Sequence, residues 1–232
     1  MEFSNKLDCQ SIAGLALKSF MTQSKSLQEL LLQSKNEQTF SGLLSHALQD
    51  QYSENGSRTL LELKGKDYKK AKVKTKDMKS TRNFHDLSII DSNAKFQVII
   101  ENKVWYHFDG AKGKKQKKIE KGVFEQIEGD IAKTRITLSN QFGGERGFLL
   151  IHLVTPHYIQ EIPKSYLKSH ESALSRTTGD LMLYRNDGLN GILAALKSFE
   201  DMLLDLKNVR NDAIIGGGEA ALIDVICAEI KI

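Results

Sequence analysis

Residues 84–103 read Phe84-His85-Asp86-Leu87-Ser88-Ile89-Ile90, then Asp91-Ser92-Asn93-Ala94-Lys95, then Phe96-Gln97-Val98-Ile99-Ile100-Glu101-Asn102-Lys103. Short runs rich in β-branched residues on either side of a polar turn are typical of a β-hairpin. We therefore predict that residues 87–90 and 96–100 form adjacent antiparallel strands.

The predicted hairpin brings three ionisable residues to one face of the sheet. Successive side chains along a strand point to opposite faces, so Glu101 and Lys103 share a face. The sequence is compatible with two turn positions, in which paired residue numbers sum to 187 or to 185. These registers place Asp86 opposite Glu101 or opposite Ile99. Asp86 then lies on the face of Glu101 and Lys103, unless a β-bulge changes the parity.

Two carboxylates and an amine on one face suggest phosphodiester hydrolysis. Neighbouring carboxylates repel each other, and a divalent cation such as Mg²⁺ or Mn²⁺ satisfies them both. A metal held by Asp86 and Glu101 would bind a phosphate oxygen and would lower the pKa of a bound water. The Lys103 ammonium orients that water and stabilises the charge that develops on phosphorus-bound oxygens.

Glu-x-Lys alone has low specificity, because it also occurs at residues 62–64 and 229–231. Near the C-terminus, a predicted hairpin pairs Asp212 with Leu222, seven residues from Glu229. At ~3.3 Å per residue, Asp212 and Glu229 are then more than about 20 Å apart, too far to share a metal. Geometry therefore favours the site at Glu101.

Apolar residues spaced by three and four indicate helices, apolar runs of four to eight residues indicate buried strands, and alternation of residue types, as in residues 71–78, indicates an exposed strand. We predict helices over residues 12–53, 123–138 and 189–209, and strands over residues 71–78, 147–155 and 221–230. The sequence therefore predicts one α/β domain over residues 1–232. Its central mixed β-sheet is flanked by helices, and its N-terminal part, about residues 1–55, is helical.

Positive charge is concentrated in two lysine-rich tracts. Residues 64–82 carry a net charge of +7 and residues 112–121 carry +5, whereas the rest of the chain carries −8. Such a pattern favours a polyphosphate partner. The residues expected to contact nucleic-acid phosphates are Lys72, Lys74, Lys76, Arg82, Lys112, Lys114, Lys115, Lys117 and Lys118. Solvation of two surface loops is the alternative explanation.

Several classes of protein are disfavoured by composition. The chain has no run of about 18 apolar residues, so no membrane span is expected. Cys9 and Cys227 are too few for a disulfide scaffold, and the six histidines show no zinc-ligand spacing. Without a recognisable secretory signal, a cytoplasmic location is the expectation.

An Asp that opens one strand and an acidic-x-Lys that closes the next resemble the PD-(D/E)XK nuclease superfamily, which has the restriction-endonuclease-like fold. The run Ile100-Glu101-Asn102-Lys103-Val104 is similar to the Ile-Glu-Asn-Lys variant of many bacterial members. Residues 36–44 are similar to the Glu-bearing helix that precedes it in those members, and Leu153-Val154-Thr155-Pro156 to a later strand end. His85 stands where the family name has Pro, which many members also lack.

The resemblance, over roughly residues 36–157, implies a role for each site residue. Asp86 and Glu101 would bind the metal and Lys103 would be the catalytic lysine. Glu37 would complete the metal site, directly or through water, and Gln126 would position the site or touch the substrate. Two alternatives stay open at this stage: Glu37 as a first-turn residue that favours the helix dipole, and Gln126 as a surface residue.

The leading hypothesis is therefore a Mg²⁺-dependent deoxyribonuclease, with Mn²⁺ as a substitute cation. It would cut double-stranded DNA, with a homodimer as one arrangement, and by resemblance would serve in restriction, in phage defence or as a toxin. A second hypothesis is a non-catalytic nucleic-acid-binding module that uses the same lysine tracts. A third is an interaction protein whose tracts contact an acidic partner or an anionic membrane surface.

Overall fold

The computed structural model describes residues 7–33, 37–52, 58–61, 85–90, 96–110, 116–139, 146–155, 171, 180–214 and 220–232. Its helices are α1 (Cys9–Met21), α2 (Lys25–Gln33), α3 (Glu37–Tyr52), α4 (His107–Gly110), α5 (Gln116–Ser139) and α6 (Leu181–Lys197), followed by a 3₁₀ turn at Glu200–Met202. Its strands are β1 (Arg58–Leu61), β2 (Leu87–Ile90), β3 (Phe96–Tyr106), β4 (Arg146–Thr155), β5 (Leu203–Ile214) and β6 (Ala220–Ile230).

The six strands form one mixed sheet in the order β1-β2-β3-β4-β6-β5. β3 and β4 are parallel, and every other neighbouring pair is antiparallel. Parallel neighbours need a long crossover connection, and here α4 and α5 lie between β3 and β4 in the chain. The predicted α/β class with a mixed sheet and a helical N-terminal part is confirmed.

The hairpin of β2 and β3 has one of the two predicted registers. Leu87 pairs with Ile100, Ser88 with Ile99 and Ile89 with Val98, so paired numbers sum to 187. A register shift follows between Ile89 and Ile90, on the turn side of these pairs. The parity at Asp86 is therefore unaffected by the bulge.

Helices cover both faces of the sheet. On one face, α1 and α3 enclose a cluster that contains Ile12, Phe20, Phe40, Leu44, Leu48, Ile100, Val104 and Leu150. On the other face, α5 and α6 enclose a cluster that contains Val123, Ile127, Ile131, Ile192, Leu196, Leu149, Ile151 and Leu153. β4 is buried along nearly its whole length, because it packs against both layers.

β3 extends past the end of β2, and this positions the candidate site. The last residue of β3 that pairs with β2 is Ile100, opposite Leu87, whereas β3 stays paired with β4 as far as Tyr106. Among the described residues, the segment from Glu101 to Tyr106 therefore has a strand on one side only. Side chains from both helical layers reach β3 at this step in the sheet.

The helix predicted over residues 189–209 is wrong in its second half. α6 ends at Lys197, with Ser198 as its C-cap, and β5 begins at Leu203. A register shift between Leu203 and Asp205 inserts one extra residue into β5. Leu203 and Leu206, three residues apart, then pack against the same cluster, so a bulged strand reproduces the spacing of a helix.

Several other described elements follow the sequence predictions, whereas β1 and α4 were not predicted. The helical region 12–53 divides into α1, α2 and α3, and the predicted elements at 123–138, 147–155 and 221–230 are α5, β4 and β6. Asp212 pairs with Leu222 as expected. The strand predicted over residues 71–78 lies outside the described residues. Of the helices described, none is long and apolar enough to cross a membrane.

We expect Gly191→Ala to destabilise the protein because α4 and α6 touch backbone to backbone. A Cβ atom on Gly191 would overlap the carbonyl oxygen of Gly110. Such overpacking costs about 1–3 kcal/mol. Gly14→Ala in α1 is the matched control, because no atom lies within 4 Å of the added Cβ. The control should gain up to about 1 kcal/mol. Urea unfolding measures both, and equal stability of the two variants would contradict the packing.

We also expect two buried histidines to make stability depend on pH. Burial lowers the pKa of His107 although Asp224 lies 2.8 Å from its ring, and burial lowers the pKa of His152 to about 3. Below pH about 6.5 these two histidines bind protons in the unfolded chain but remain neutral in the folded state. Each histidine should therefore leave the free energy of unfolding unaffected above about pH 6.5. Below that pH it should lower the free energy of unfolding by up to about 1.4 kcal/mol per pH unit.

The comparison of wild type with His152→Asn isolates the effect of one histidine. The free-energy difference between the two should shrink by about 1.4 kcal/mol for each pH unit from 6.5 down to 4.5, measured by urea unfolding. His46→Ala is the control, since His46 is exposed and its described ion-pair partner, Asp50, is exposed too. A constant difference across this range would show that His152 is not held neutral.

Candidate active site

Lys103 lies at the centre of the polar cluster formed where β3 passes the end of β2. Its Nζ is 3.2 Å from Asp130 Oδ2, 3.8 Å from Glu37 Oε2 and 3.9 Å from Asp86 Oδ2. It also donates a hydrogen bond of 3.0 Å to the carbonyl oxygen of Asn102. Burial alone would lower the pKa of Lys103, but the three carboxylates outweigh it and raise that pKa. The lysine is therefore charged at neutral pH.

Asp86 is held against β3 by a backbone hydrogen bond. Its Oδ2 accepts from the N–H of Asn102 at 2.7 Å, as the predicted register allows. Burial and the nearby charge of Glu101 raise the pKa of Asp86 to about 6, although Lys103 acts in the opposite direction. Burial is the larger of the two causes, and Lys103 does not fully offset them.

Glu101 is fully buried and its two oxygens have separate partners. His85 Nδ1 donates to Oε1, and Lys133 Nζ donates to Oε2 at 2.5 Å. Burial would raise the pKa of Glu101, but His85 and Lys133 lower it. His85 Nε2 in turn lies 2.8 Å from Thr137 Oγ1 on α5. Glu101 is therefore an ionised carboxylate, hydrogen-bonded through both oxygens, on the buried side of the cluster.

Asp130 and Lys133 of α5 complete the cluster, and sequence reasoning missed both. Lys133 Nζ lies 3.5 Å from Asp130 Oδ1, so positive and negative groups alternate from Lys103 to Glu101. Burial and the charge of Glu101 raise the pKa of Asp130, against the lysines. Helical spacing was the available signal, because Gln126, Asp130 and Lys133 are four and three residues apart.

The structure brings some of the predicted residues together and leaves others apart. Asp86, Lys103 and Glu37 meet at the cluster, and Glu37 is the first residue of α3. Gln126 is exposed on α5, one turn before Asp130, and makes no hydrogen bond to the described part of the cluster. Lys72, Lys74, Lys76, Arg82, Lys112, Lys114 and Lys115 lie outside the described residues. Lys117 and Lys118 belong to α5, whose described side chains begin beyond them.

The cluster has an excess of negative charge. Four carboxylates, from Glu37, Asp86, Glu101 and Asp130, meet two ammonium groups, from Lys103 and Lys133, and one imidazole. The raised pKa values of Asp86 and Asp130 have this excess among their causes. Additional positive charge at this position would be stabilised.

The donor chemistry fits a hard divalent cation, because carboxylate oxygens are the ligands that Mg²⁺ and Mn²⁺ prefer. In the arrangement described, however, no three His, Cys, Asp or Glu side chains within the described ranges converge on one metal-binding position. Glu101 is engaged by His85 and Lys133, so it could ligate a cation only after Lys133 moves away. The roles of Asp86, Glu101 and Glu37 as ligands stay predictions.

Comparison with known proteins adds no relative. No family model matches this chain, and neither a curated protein nor a solved structure shows significant similarity to it.

Removing the ammonium of Lys133 should destabilise the fold, because Glu101 is fully buried and would lose one of its two partners. For Lys133→Met we expect a loss of about 3 kcal/mol, the lower end for breaking a buried pair, since Lys133 is partly exposed. Lys197→Met, at an exposed position near the end of α6, should change stability by less than about 0.5 kcal/mol. Equal thermal unfolding of both variants would contradict the importance of this pair.

Proposed function

We propose that this protein is a divalent-metal-dependent endonuclease that hydrolyses phosphodiester bonds in double-stranded DNA. The observation that carries the proposal is the position of Lys103 Nζ within 4 Å of carboxylates from three separate elements, Asp86, Glu37 and Asp130. A charged lysine and an excess of carboxylates at a step in the sheet combine affinity for a hard cation with a group that stabilises phosphate charge.

Each residue has a role in this proposal. Asp86 and Glu37, which are partly exposed, would hold Mg²⁺ or Mn²⁺, joined by Glu101 once Lys133 withdraws. The bound cation would supply Lewis acidity toward a phosphate oxygen and a water of lowered pKa. Lys103, charged at neutral pH, stabilises negative charge on the substrate phosphate. Asp130 holds the Lys103 ammonium in place at 3.2 Å.

The proposal includes the restriction-endonuclease-like fold of the PD-(D/E)XK superfamily. Its support is the hairpin of β2 and β3, with Asp86 before one strand and Glu101-Asn102-Lys103 within the other, and the parallel neighbour β4. The helix α3, which starts at Glu37, is in the position that the resemblance gives to a Glu-bearing helix. Roles in restriction, phage defence or toxicity follow from the resemblance alone.

DNA is proposed as the substrate because of the lysine tracts. In the sequence, residues 112–121 follow β3 closely, because Lys112 comes six residues after Tyr106, the last residue of β3. Ammonium groups contact phosphates as point charges and do not read base sequence. Binding should therefore weaken steeply as salt is raised.

A non-catalytic nucleic-acid-binding module is the second candidate, and one observation favours it. Both oxygens of Glu101 already have partners in His85 and Lys133, which is the arrangement of a structural carboxylate. In that case DNA binding would not respond to Mg²⁺ and no cleavage would occur. Metal dependence therefore discriminates the two candidates.

Lys103→Ala should abolish cleavage of supercoiled plasmid while leaving DNA binding intact. Loss of one preorganised group that stabilises transition-state charge lowers the rate by about 10²–10³-fold. We expect wild-type cleavage with Mg²⁺ or Mn²⁺ and none with EDTA, as measured by conversion of plasmid to nicked and linear forms. DNA affinity is measured in parallel by fluorescence anisotropy at several salt concentrations.

Lys197→Ala is the control, because it removes an exposed lysine of α6 that makes no described ion pair with the cluster. It should cleave like the wild type. Cleavage by Lys103→Ala at the wild-type rate would contradict the proposed site. Salt-dependent binding without metal-dependent cleavage by the wild type would favour the binding module.

A further inference from the structure

Asn102 connects the candidate site to the helical layer on the opposite face of the sheet. It lies between Glu101 and Lys103 in β3, so its side chain points away from theirs and toward α3. Its Nδ2 donates to Ser41 Oγ at 3.0 Å and to the carbonyl oxygen of Glu37 at 3.3 Å. Both acceptors belong to the first turn and a half of α3, whose first residue carries the Glu37 carboxylate.

His152 fixes the orientation of the Asn102 amide. Because the Glu37 carbonyl can only accept a hydrogen bond, the amide nitrogen must face α3 and Oδ1 must face β4. There His152 Nδ1 lies 3.0 Å from Asn102 Oδ1 and donates to it. The His152 ring also packs against Phe40 of α3, with ring centroids 4.5 Å apart. His152 therefore contacts both α3 and the Asn102 side chain that is hydrogen-bonded to α3.

Asn102 and His152 are polar residues in an otherwise apolar environment. Asn102 and His152 are each only 1% exposed, on the face that carries the apolar side chains Ile100, Val104 and Leu150. Burying an amide and an imidazole among apolar groups costs free energy that only well-matched hydrogen bonds offset. Here Asn102 Nδ2 donates to the turn of α3 that brings Glu37 to Lys103, and His152 Nδ1 donates to Asn102 Oδ1.

We propose that Asn102 and His152 are positioning residues that fix the first turn of α3 and thereby hold the Glu37 carboxylate beside Lys103. The inference rests on the proposed nuclease function and extends it to the opposite face of the sheet. The Asn between the acidic residue and the Lys of the motif thus connects β3 to the helix that supplies a further carboxylate.

A double-mutant cycle tests whether Asn102 acts through Glu37. Asn102→Ala should raise the Mg²⁺ concentration for half-maximal plasmid cleavage by about tenfold, as is usual when a residue that orients a metal ligand is lost. In a Glu37→Gln background the same substitution should have no further effect on the Mg²⁺ requirement. Equal effects in the two backgrounds would overturn the proposal.

Val104→Ala is the matched control, because Val104 is buried on the same face two residues along β3. Its truncation removes packing without removing a hydrogen bond to α3. We expect a lower unfolding temperature and an unchanged Mg²⁺ requirement. A shift in the Mg²⁺ requirement as large as that of Asn102→Ala would show that general destabilisation is the cause, and would overturn the proposal.

Hydrogen exchange tests the hydrogen bonds from Asn102 to α3 independently of cleavage. Backbone amides of residues 41–44 should lose protection in Asn102→Ala and in His152→Leu, with α5 unchanged. His152→Asn should retain protection, because its amide can donate in the place of Nδ1. Unchanged protection in Asn102→Ala and His152→Leu would overturn the proposal that these residues fix the first turn of α3. If the wild type does not cut DNA, the proposed nuclease function is wrong, but hydrogen exchange still tests whether Asn102 and His152 fix the first turn of α3.

Discussion

Alternation of side chains along β3 is the constraint on which the candidate site depends. Three consecutive polar residues, Glu101, Asn102 and Lys103, are divided between the two faces of one strand. Glu101 and Lys103 meet α5 through Lys133 and Asp130, whereas Asn102 meets α3. One strand thus connects both helical layers with polar contacts, and the step where β2 ends lets Glu37 reach the same lysine.

The energetics of the cluster differ between Glu101 and the other carboxylates. Glu101 is buried and hydrogen-bonded to His85 and Lys133, so its charge is compensated where it stands. Burial, together with the charge of Glu101, raises the pKa values of Asp86 and Asp130, and the two lysines do not fully offset these effects. Stability alone would favour fewer carboxylates here. An excess of negative charge near solvent is instead what binding of a cation requires.

Local pattern was sufficient for much of the fold and misleading in one place. The hairpin register and the pairing of Asp212 with Leu222 follow from turn position and strand alternation, which act over a few residues. β5 was mistaken for a continuation of α6 because a bulge at Leu203–Asp205 gives its apolar residues helical spacing. Whether such a segment is strand or helix depends on pairing with β6, which follows it in the chain.

The sequence by itself determined that Glu101 and Lys103 share one face, because strand parity is a local property of the chain, and both turn positions considered for the hairpin placed Asp86 on that face as well. It did not determine which carboxylates surround Lys103. Asp130, the nearest of them, comes from a helix 27 residues downstream, and its approach depends on how α5 crosses the sheet. Partners of Glu101 and Asn102 were likewise decided by the packing of α5, α3 and β4. Only tertiary structure brings these layers together, since no spacing within one segment encodes the distance between two.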